Sequence, residues 1–165
     1  LLADEDEPVD IVINPERNQV LFKMKGSEMV SQLIQGTFPN YSQLIPKSYV
    51  TRAVVDVSDF MMATKSASIF VRDGGGIIRL IITEGKMSVI GRAEEVGDNV
   101  CEIDAAVEGE DAKIAFNSKY LTDVLNVIEG EKVAIEITNP SSPGVFKPEG
   151  DKDYVYVVMP MFVSW

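Results

Sequence analysis

The sequence predicts an α+β domain in which two helices pack on one face of an antiparallel sheet. Two segments carry apolar residues at helical spacing, and the segments around them are β-rich and end at tight turns. From residue 49 onward these segments follow the order β-α-β-β-β-β-α-β-β-β. A meander of three strands precedes them without a helix to cover one of its faces, so we expect it to be the end of a preceding domain.

The meander is predicted from β-rich or alternating segments that lie between turn residues. These segments cover residues 9–13, 19–25 and 28–34. Pro39 and Pro46 then interrupt regular strand pairing. We therefore divide the chain into residues 1–46, which hold these strands and a connector, and residues 47–165, a second domain. The first residues include no initiator Met and no basic region before an apolar stretch, so we expect the cut end of a longer chain rather than a signal peptide.

The two helices are predicted from apolar residues that share one helical face. Ser58 is a suitable N-cap for the first helix, which would end at about Phe70. Its apolar face holds Phe60, Ala63, Thr64, Ala67 and Val71. The second helix begins at Asn117 or Ser118, and its apolar face holds Leu121, Val124, Leu125 and Ile128. The predicted strands around the helices cover residues 49–57, 77–83, 86–94, 99–107, 113–116, 132–138, 144–147 and 154–159.

Composition excludes several classes of enzyme. The 165 residues include no histidine and one cysteine, Cys101, which excludes an internal disulfide, a zinc site of Cys and His, and Ser-His-Asp or Cys-His catalysis. The net charge of −11, from 15 basic and 26 acidic residues, argues against a simple basic nucleic-acid binder. The lone cysteine and the lack of a secretion signal favour a cytoplasmic location. There is no apolar run of about 18 residues that would span a membrane.

Three further patterns have both a structural and a functional interpretation. The glycines at residues 74–76 follow a helix and precede no Gly-Lys-Ser/Thr, so a loop is favoured over a phosphate-binding loop. Acidic residues cluster at 4–7 and 108–111 without the spacing of a calcium loop, so we expect charged loops, no metal and no cofactor. Asn117 and Tyr120 are either a helix cap and a packed rim, the favoured interpretation, or part of a ligand-binding surface.

The tail, residues 157–165, is apolar almost throughout. A final strand can bury Val157 and Met159 on one face before Pro160 ends it. The apolar side chains beyond that point have no obvious partner in a small domain, and they are Met161, Phe162 and Trp165. Either the tail folds back onto the core or it forms an adaptable groove for another protein.

Three motifs together resemble the bacterial sliding clamp, the β subunit of DNA polymerase III. Residues 33–41 (LIQGTFPNY) resemble its connector, (L/I)-(I/V)-x-G-x-F-P-(D/N)-Y, and residues 116–125 (FNSKYLTDVL) resemble its F-N-x-x-Y-L-x-D-V-L helix. Residues 154–161 end in VVMPM and are similar to its terminal Y-V-V-M-P-M. The resemblance covers the whole chain. It identifies residues 47–165 as the complete third clamp domain and residues 1–46 as the end of the second.

The resemblance implies the DNA clamp fold and a function without catalysis. Clamp protomers of three domains assemble into a head-to-tail homodimer, a ring that encircles duplex DNA without sequence specificity. The ring tethers DNA polymerase III, and other replication and repair proteins that carry clamp-binding peptides, through a hydrophobic pocket. A clamp loader is a further implied partner, and no membrane is.

The resemblance also implies site residues. The peptide-binding pocket would consist of Pro39, Gln43, Leu44, Asn117, Tyr120, Ser141, Pro143, Val157, Met159, Pro160, Met161 and Phe162. The residues that would face DNA are Lys65 and Lys119. The chain departs from the family at Gln43 and Phe162, where arginine is frequent, and it continues to Trp165. These departures bear on the rim of the pocket and on the choice of partner.

Two alternatives to the clamp function remain, a stand-alone clamp-like interaction domain and a metal-dependent hydrolase that uses carboxylates. The net charge does not exclude a clamp. Residues 1–10 hold five acidic residues and residues 94–111 hold eight, and neither segment has a Lys or Arg. Without these 13 the chain has 13 acidic and 15 basic residues. A ring that is acidic outside and near neutral inside is therefore compatible with the composition.

Overall fold

The computed structural model describes residues 8–72, 75–93, 97–150 and 153–165. These residues form eleven strands, two α-helices and one 3₁₀ turn. The chain divides into two compact units, Leu1–Asn40 and Tyr41–Trp165. Three predicted features lie outside the described residues: the acidic cluster at 4–7, Gly74, and the last residue of the strand predicted at 86–94.

The first unit is the predicted three-stranded meander. Its strands are β1 (Asp10–Asn14), β2 (Gln19–Met24) and β3 (Ser27–Gln32), which pair antiparallel in the order β1-β2-β3. Gly26 adopts a φ of 73° in the tight turn between β2 and β3, a conformation that glycine accepts without steric cost. The side chains of Ile11, Ile13 and Val30 are exposed.

The second unit has the predicted order β-α-β-β-β-β-α-β-β-β. Its elements are β4 (Thr51–Asp56), α1 (Val57–Val71), β5 (Ile77–Thr83), β6 (Lys86–Ala93), β7 (Gly97–Gly109), β8 (Ala112–Asn117), α2 (Ser118–Val127), β9 (Lys132–Ile137), β10 (Gly144–Pro148) and β11 (Tyr156–Val158). The strands pair antiparallel in the order β11-β10-β9-β4-β7-β6-β5-β8. The predicted α+β class is confirmed.

Strand β7 joins the two halves of this sheet. Residues 105–109 pair with β4, whereas residues 97–104 pair with β6. Both halves bury their inner faces in a single core with the two helices. Phe116 of β8 and Phe146 of β10 meet edge to face across this core, with ring centroids 5.6 Å apart. A Cβ on Gly144 would lie 2.4 Å from the Phe116 ring, so β8 and β10 approach closely although they stand far apart in the strand order.

Helix α1 packs on the sheet with the face that the sequence predicts. Its buried residues are Phe60, Ala63, Thr64, Ala67 and Val71. Gly91 of β6 permits the close approach, since a Cβ there would lie 2.4 Å from the carbonyl oxygen of Ala67.

The predicted cap of α1 is wrong by two residues. Asp56, not Ser58, is the N-cap, because its Oδ1 accepts hydrogen bonds from the backbone N–H groups of Ser58 at 2.8 Å and Asp59 at 3.2 Å. The Ser58 hydroxyl also donates to Oδ1 at 2.7 Å. This hydroxyl bond, followed by the Asp59 backbone bond, lowers the pKa of Asp56 below its ordinary 3.8.

The final strand differs from its prediction in length and in the residue it buries. β11 covers Tyr156–Val158 rather than residues 154–159. Val158 is 3% exposed and Met159 is 63% exposed, so the expected burial of Val157 and Met159 on one face is wrong. The register explains the difference, because Val158 lies opposite Gly144 of β10 and thereby faces the core.

Candidate peptide-binding surface

Asn117 ends β8 and caps α2. Its Oδ1 accepts a hydrogen bond from the Lys119 backbone N–H at 2.9 Å, which confirms the capping interpretation. Its Nδ2 donates to the carbonyl oxygen of Gly75 at 3.4 Å. A primary amide has two N–H hydrogens, so the second of them can still donate to a ligand carbonyl.

The glycine loop supports this end of α2. The backbone N–H of Gly76 donates to the Val71 carbonyl at 2.9 Å, and the Gly76 carbonyl accepts from the Ser118 N–H at 2.7 Å. Gly75 and Gly76 both have positive φ, which glycine adopts readily. These residues therefore form a loop after α1, as predicted, and that loop anchors the start of α2.

Two tyrosines lie at or near the first turns of α2. Tyr120 in its first turn is 50% exposed, and Tyr156 of β11 is half-buried. Burial raises the pKa of Tyr156 above its ordinary value, and the charge of Asp123 together with Tyr154 and Tyr120 raises it further. Sequence reasoning did not single out Tyr156. The alternation Tyr154-Val155-Tyr156 was the available signal, because it places both tyrosines on one face of an extended segment.

The tail continues from β11 to the other end of the sheet. The Met161 N–H donates to the carbonyl oxygen of Ala115 in β8 at 2.7 Å, and the Lys113 Nζ lies 5.9 Å from the centre of the Trp165 ring. The backbone bond supports the alternative in which the tail folds back, and a groove for another protein stays a prediction. The tail backbone folds back onto β8, while the side chains of Met159 and Phe162 are 63% and 83% exposed.

Ser141 and Pro143 lie in the turn that leads into β10. The Ser141 N–H donates to Asn139 Oδ1 at 2.9 Å, which holds the turn. Gly144 is paired with Val158, so Pro143 stands beside Met159 in the antiparallel register. The structure therefore places seven of the implied pocket residues in two regions. Asn117 and Tyr120 belong to the end of β8 and the start of α2, and Met161 bonds to β8. Pro143, Val157, Met159 and Pro160 belong to the paired β10 and β11 or lie next to them in the chain.

The implied connector residues of the pocket belong to other segments of the chain. Gln43 and Leu44 belong to the 3₁₀ turn region after Tyr41, where the Leu44 N–H donates to the Tyr41 carbonyl at 2.9 Å. Leu44 is 53% exposed. Pro39 belongs to the first unit, Leu1–Asn40. Their contribution to the pocket stays a prediction.

The two lysines implied to face DNA are exposed, Lys65 on α1 and Lys119 in the first turn of α2. The two helices also contact each other. The structure thus places both side chains on the helices, away from the core, and their approach to DNA stays a prediction.

Carboxylates also gather outside this surface. A cavity of about 460 Å³ between α1 and β7 is lined by Asp59, Met62, Ala63, Ser66, Cys101, Glu102, Ile103 and Asp104. Within the described part of the chain, no group of three Asp, Glu, Cys or His side chains is arranged to hold a metal ion. Glu108 of the second acidic cluster instead lies 3.9 Å from Arg52 and accepts from the Tyr49 hydroxyl at 3.4 Å. Neither of the described helices is long and apolar enough to cross a membrane.

Known proteins resemble this chain over most of its length. Residues 42–162 match the sequence model of a family described as DNA polymerase III beta subunit, C-terminal domain. The beta sliding clamp of Staphylococcus aureus is 32% identical over 163 residues, which cover 98% of this chain and 43% of that protein.

Solved structures of sliding clamps share the fold. The DNA polymerase sliding clamp from Bacillus subtilis is 31% identical with a TM-score of 0.81, over 99% of this chain and 43% of that one. The DNA polymerase III beta subunit from Thermotoga maritima is 27% identical with a TM-score of 0.81, over 97% of this chain and 43% of that one. The chain thus spans less than half the length of these relatives.

Proposed function

Because the chain belongs to the family formed by the C-terminal domain of the DNA polymerase III beta subunit, we propose that it acts as part of a sliding clamp, a processivity factor for DNA replication. In this proposal residues 47–165 are a third clamp domain and residues 1–46 are the end of a second. The whole protein is a homodimeric ring that encircles duplex DNA in the cytoplasm and is placed there by a clamp loader. Its function is binding and not catalysis.

The observation that supports a tethering role most directly is the surface formed by the tail, β8 and the start of α2. Met159, Phe162 and Tyr120 present exposed apolar area there. Asn117 adds a directional amide donor at the same end of α2. Apolar anchors supply affinity through burial and a few polar groups fix orientation, which is the usual composition of a peptide site. The partners are DNA polymerase III and other proteins that carry a short apolar clamp-binding peptide.

A matched pair of methionines tests this assignment. Met159 in the tail is 63% exposed and Met62 on α1 is 65% exposed, so Met159→Ala and Met62→Ala remove the same side chain at nearly equal exposure. We expect Met159→Ala to weaken peptide binding by roughly 5- to 10-fold, because about 50 Å² of covered apolar area contributes about 1.3 kcal/mol. Met62→Ala should leave the affinity unchanged.

The assay is fluorescence anisotropy with a labelled six-residue peptide that ends in Leu-Phe, and the same peptide ending in Ala-Ala is the control. Met161→Ala should also weaken binding, by less than Met159→Ala, since Met161 is 36% exposed. An equal effect of Met159→Ala and Met62→Ala would contradict the location of the site. Equal affinity for the two peptides would contradict apolar recognition itself.

A further inference from the structure

Residues 161–165 of the tail lie along the outer edge of β8. Strand β8 ends the strand order and pairs with β5 on one side. The Met161 N–H donates to the Ala115 carbonyl at 2.7 Å, and Trp165 lies against the Lys113 ammonium group at 5.9 Å. The tail thus runs from Ala115 back toward Lys113, antiparallel to β8, with one contact at each end of the segment.

Exposure alternates over residues 161–163 as it does in an extended strand. Met161 is 36% exposed and Val163 is half-buried, whereas Phe162 between them is 83% exposed. Ala115 faces away from the main core and is nevertheless 1% exposed, beside the tail backbone that bonds to its carbonyl. The two end contacts therefore hold one side of the tail on β8 and direct Phe162 away from it.

We propose that Lys113 and Trp165 are positioning residues for the peptide site. Their contact, called here the Lys113–Trp165 clasp, fixes the far end of the tail so that Phe162 is presented to a ligand in an ordered, extended segment. The ligand class is a peptide with an aromatic or long aliphatic side chain that packs on Phe162. This inference rests on the proposed function and deepens it, because it names what orders the site and which ligand side chain the site selects.

The clasp favours binding through preorganisation of the tail. A five-residue segment with a single backbone bond would sample many conformations, and a ligand would then have to order it on binding. A cation held over the face of a tryptophan ring within about 6 Å is attracted by the ring quadrupole, which provides a second fixed point. Arginine can replace lysine in such a contact and phenylalanine can replace tryptophan with weaker attraction, whereas methionine and alanine cannot.

The test compares disruptive with conservative variants of the clasp, by anisotropy with the labelled peptide that ends in Leu-Phe. We expect Trp165→Ala and Lys113→Met each to weaken binding by about twofold to fivefold, the range that an exposed cation–π contact allows, and Lys113→Arg to retain the wild-type affinity. Trp165→Phe should restore at least half of the loss on a logarithmic scale. Amide hydrogen exchange at Met161 should be faster in Trp165→Ala than in the wild type. A thermal midpoint close to that of the wild type verifies that each variant is folded.

A double variant shows whether the clasp acts through Phe162. In the Phe162→Ala background, adding Trp165→Ala should cause little further loss, and full additivity of the two losses would overturn the proposal. Unchanged affinity in Trp165→Ala, with a wild-type protein that binds the peptide, would overturn the clasp and leave the proposed function intact. If the wild-type protein binds the Leu-Phe and Ala-Ala peptides equally tightly, the proposed peptide site is refuted. The role of the clasp in binding is then refuted as well.

Discussion

Phe162→Ala is the substitution that probes the peptide surface most strongly. Phe162 is 83% exposed, and a phenylalanine side chain offers on the order of 200 Å², so about 165 Å² of apolar area is available to a ligand. If a peptide covers half of it, about 80 Å² leaves water on binding. At about 25 cal/mol per Å² this burial contributes about 2 kcal/mol, and truncation to alanine should weaken binding by roughly 10- to 30-fold.

The assay is the same anisotropy titration, with Ile69→Ala as the control for removal of an exposed apolar side chain. Ile69 lies near the end of α1 and is 67% exposed. Because both side chains are largely exposed in the free protein, neither substitution should lower the thermal midpoint by more than about 2 °C. Phe162→Leu keeps most of the apolar area and should retain most of the affinity.

Two results would refute the assignment of Phe162 to the peptide surface. If Phe162→Ala binds the Leu-Phe peptide as tightly as the wild type does, no peptide side chain covers Phe162, and the burial argument fails at this position. A loss shared equally by Ile69→Ala would refute it in another way, because a general effect of surface hydrophobicity would then explain the affinity.

Three further predictions follow from the rest of the second unit. The carboxyl of Asp56 has a lowered pKa in the fold, so its contribution to stability is present above its unfolded-state pKa of about 3.8 and is lost as pH falls through the lower folded value. Asp56→Asn, which can still cap, should lose less stability on acidification between about pH 6 and pH 2, by thermal unfolding. Gly91→Ala should cost about 1–3 kcal/mol in urea unfolding, since its Cβ would meet the Ala67 carbonyl oxygen at 2.4 Å, and a wild-type value would refute that packing. Lys65→Ala and Lys119→Ala should each reduce the slope of log K against log salt by about 0.9 for a short duplex, and an unchanged slope would place that lysine away from DNA.

Helical periodicity made the two helix faces predictable. The side chains that α1 buries are the predicted ones, and Leu121 and Val124 of α2 are buried as predicted. A helix that packs on a sheet must place its apolar residues at a spacing of three and four, so the sequence pattern and the packing have the same cause. Turn residues likewise marked most strand ends, because several of the chain reversals use a positive φ, which glycine adopts readily.

The cap of α1 was not predictable in the same way, because Asp56 and Ser58 are both good capping residues. The choice depends on where β4 ends. Asp56 is still paired with Lys132 of β9, so the chain leaves the sheet at Asp56 and the helix begins at the next residue. That pairing joins residues 76 positions apart and leaves no local sequence signal.

The tail shows the same limit more strongly. Its resemblance to the family implies which of its residues would bind a peptide, but which side chain points outward depends on two long-range registers. Val158 faces the core because it pairs with Gly144, and Met161 is fixed by its bond to Ala115. Alternation alone allows either face of a short final strand to be buried, since a shift of one residue exchanges them.

The distribution of charge connects the fold to the proposed sliding on DNA. The helix α1 has one acidic residue, Asp59, and one basic residue, Lys65, and α2 likewise has Asp123 and Lys119, so each helix has no net charge. Four acidic residues of the second unit lie instead at exposed positions of β7, where exposed side chains alternate with partly buried ones, and they are Asp98, Glu102, Asp104 and Glu108.

On β7 part of that charge is offset by neighbouring strands. Glu102 lies 3.1 Å from Lys86, Asp98 lies 3.5 Å from Arg92, and Glu108 lies 3.9 Å from Arg52. Such exposed pairs add little stability, but they reduce the field that the sheet projects. Neutral helices neither repel a phosphate backbone strongly nor release enough counterions to hold it in one place. In the proposed clamp Lys65 of α1 and Lys119 of α2 would face DNA. The topology of the ring would then retain the DNA, and the weak electrostatic contact would leave the clamp able to slide.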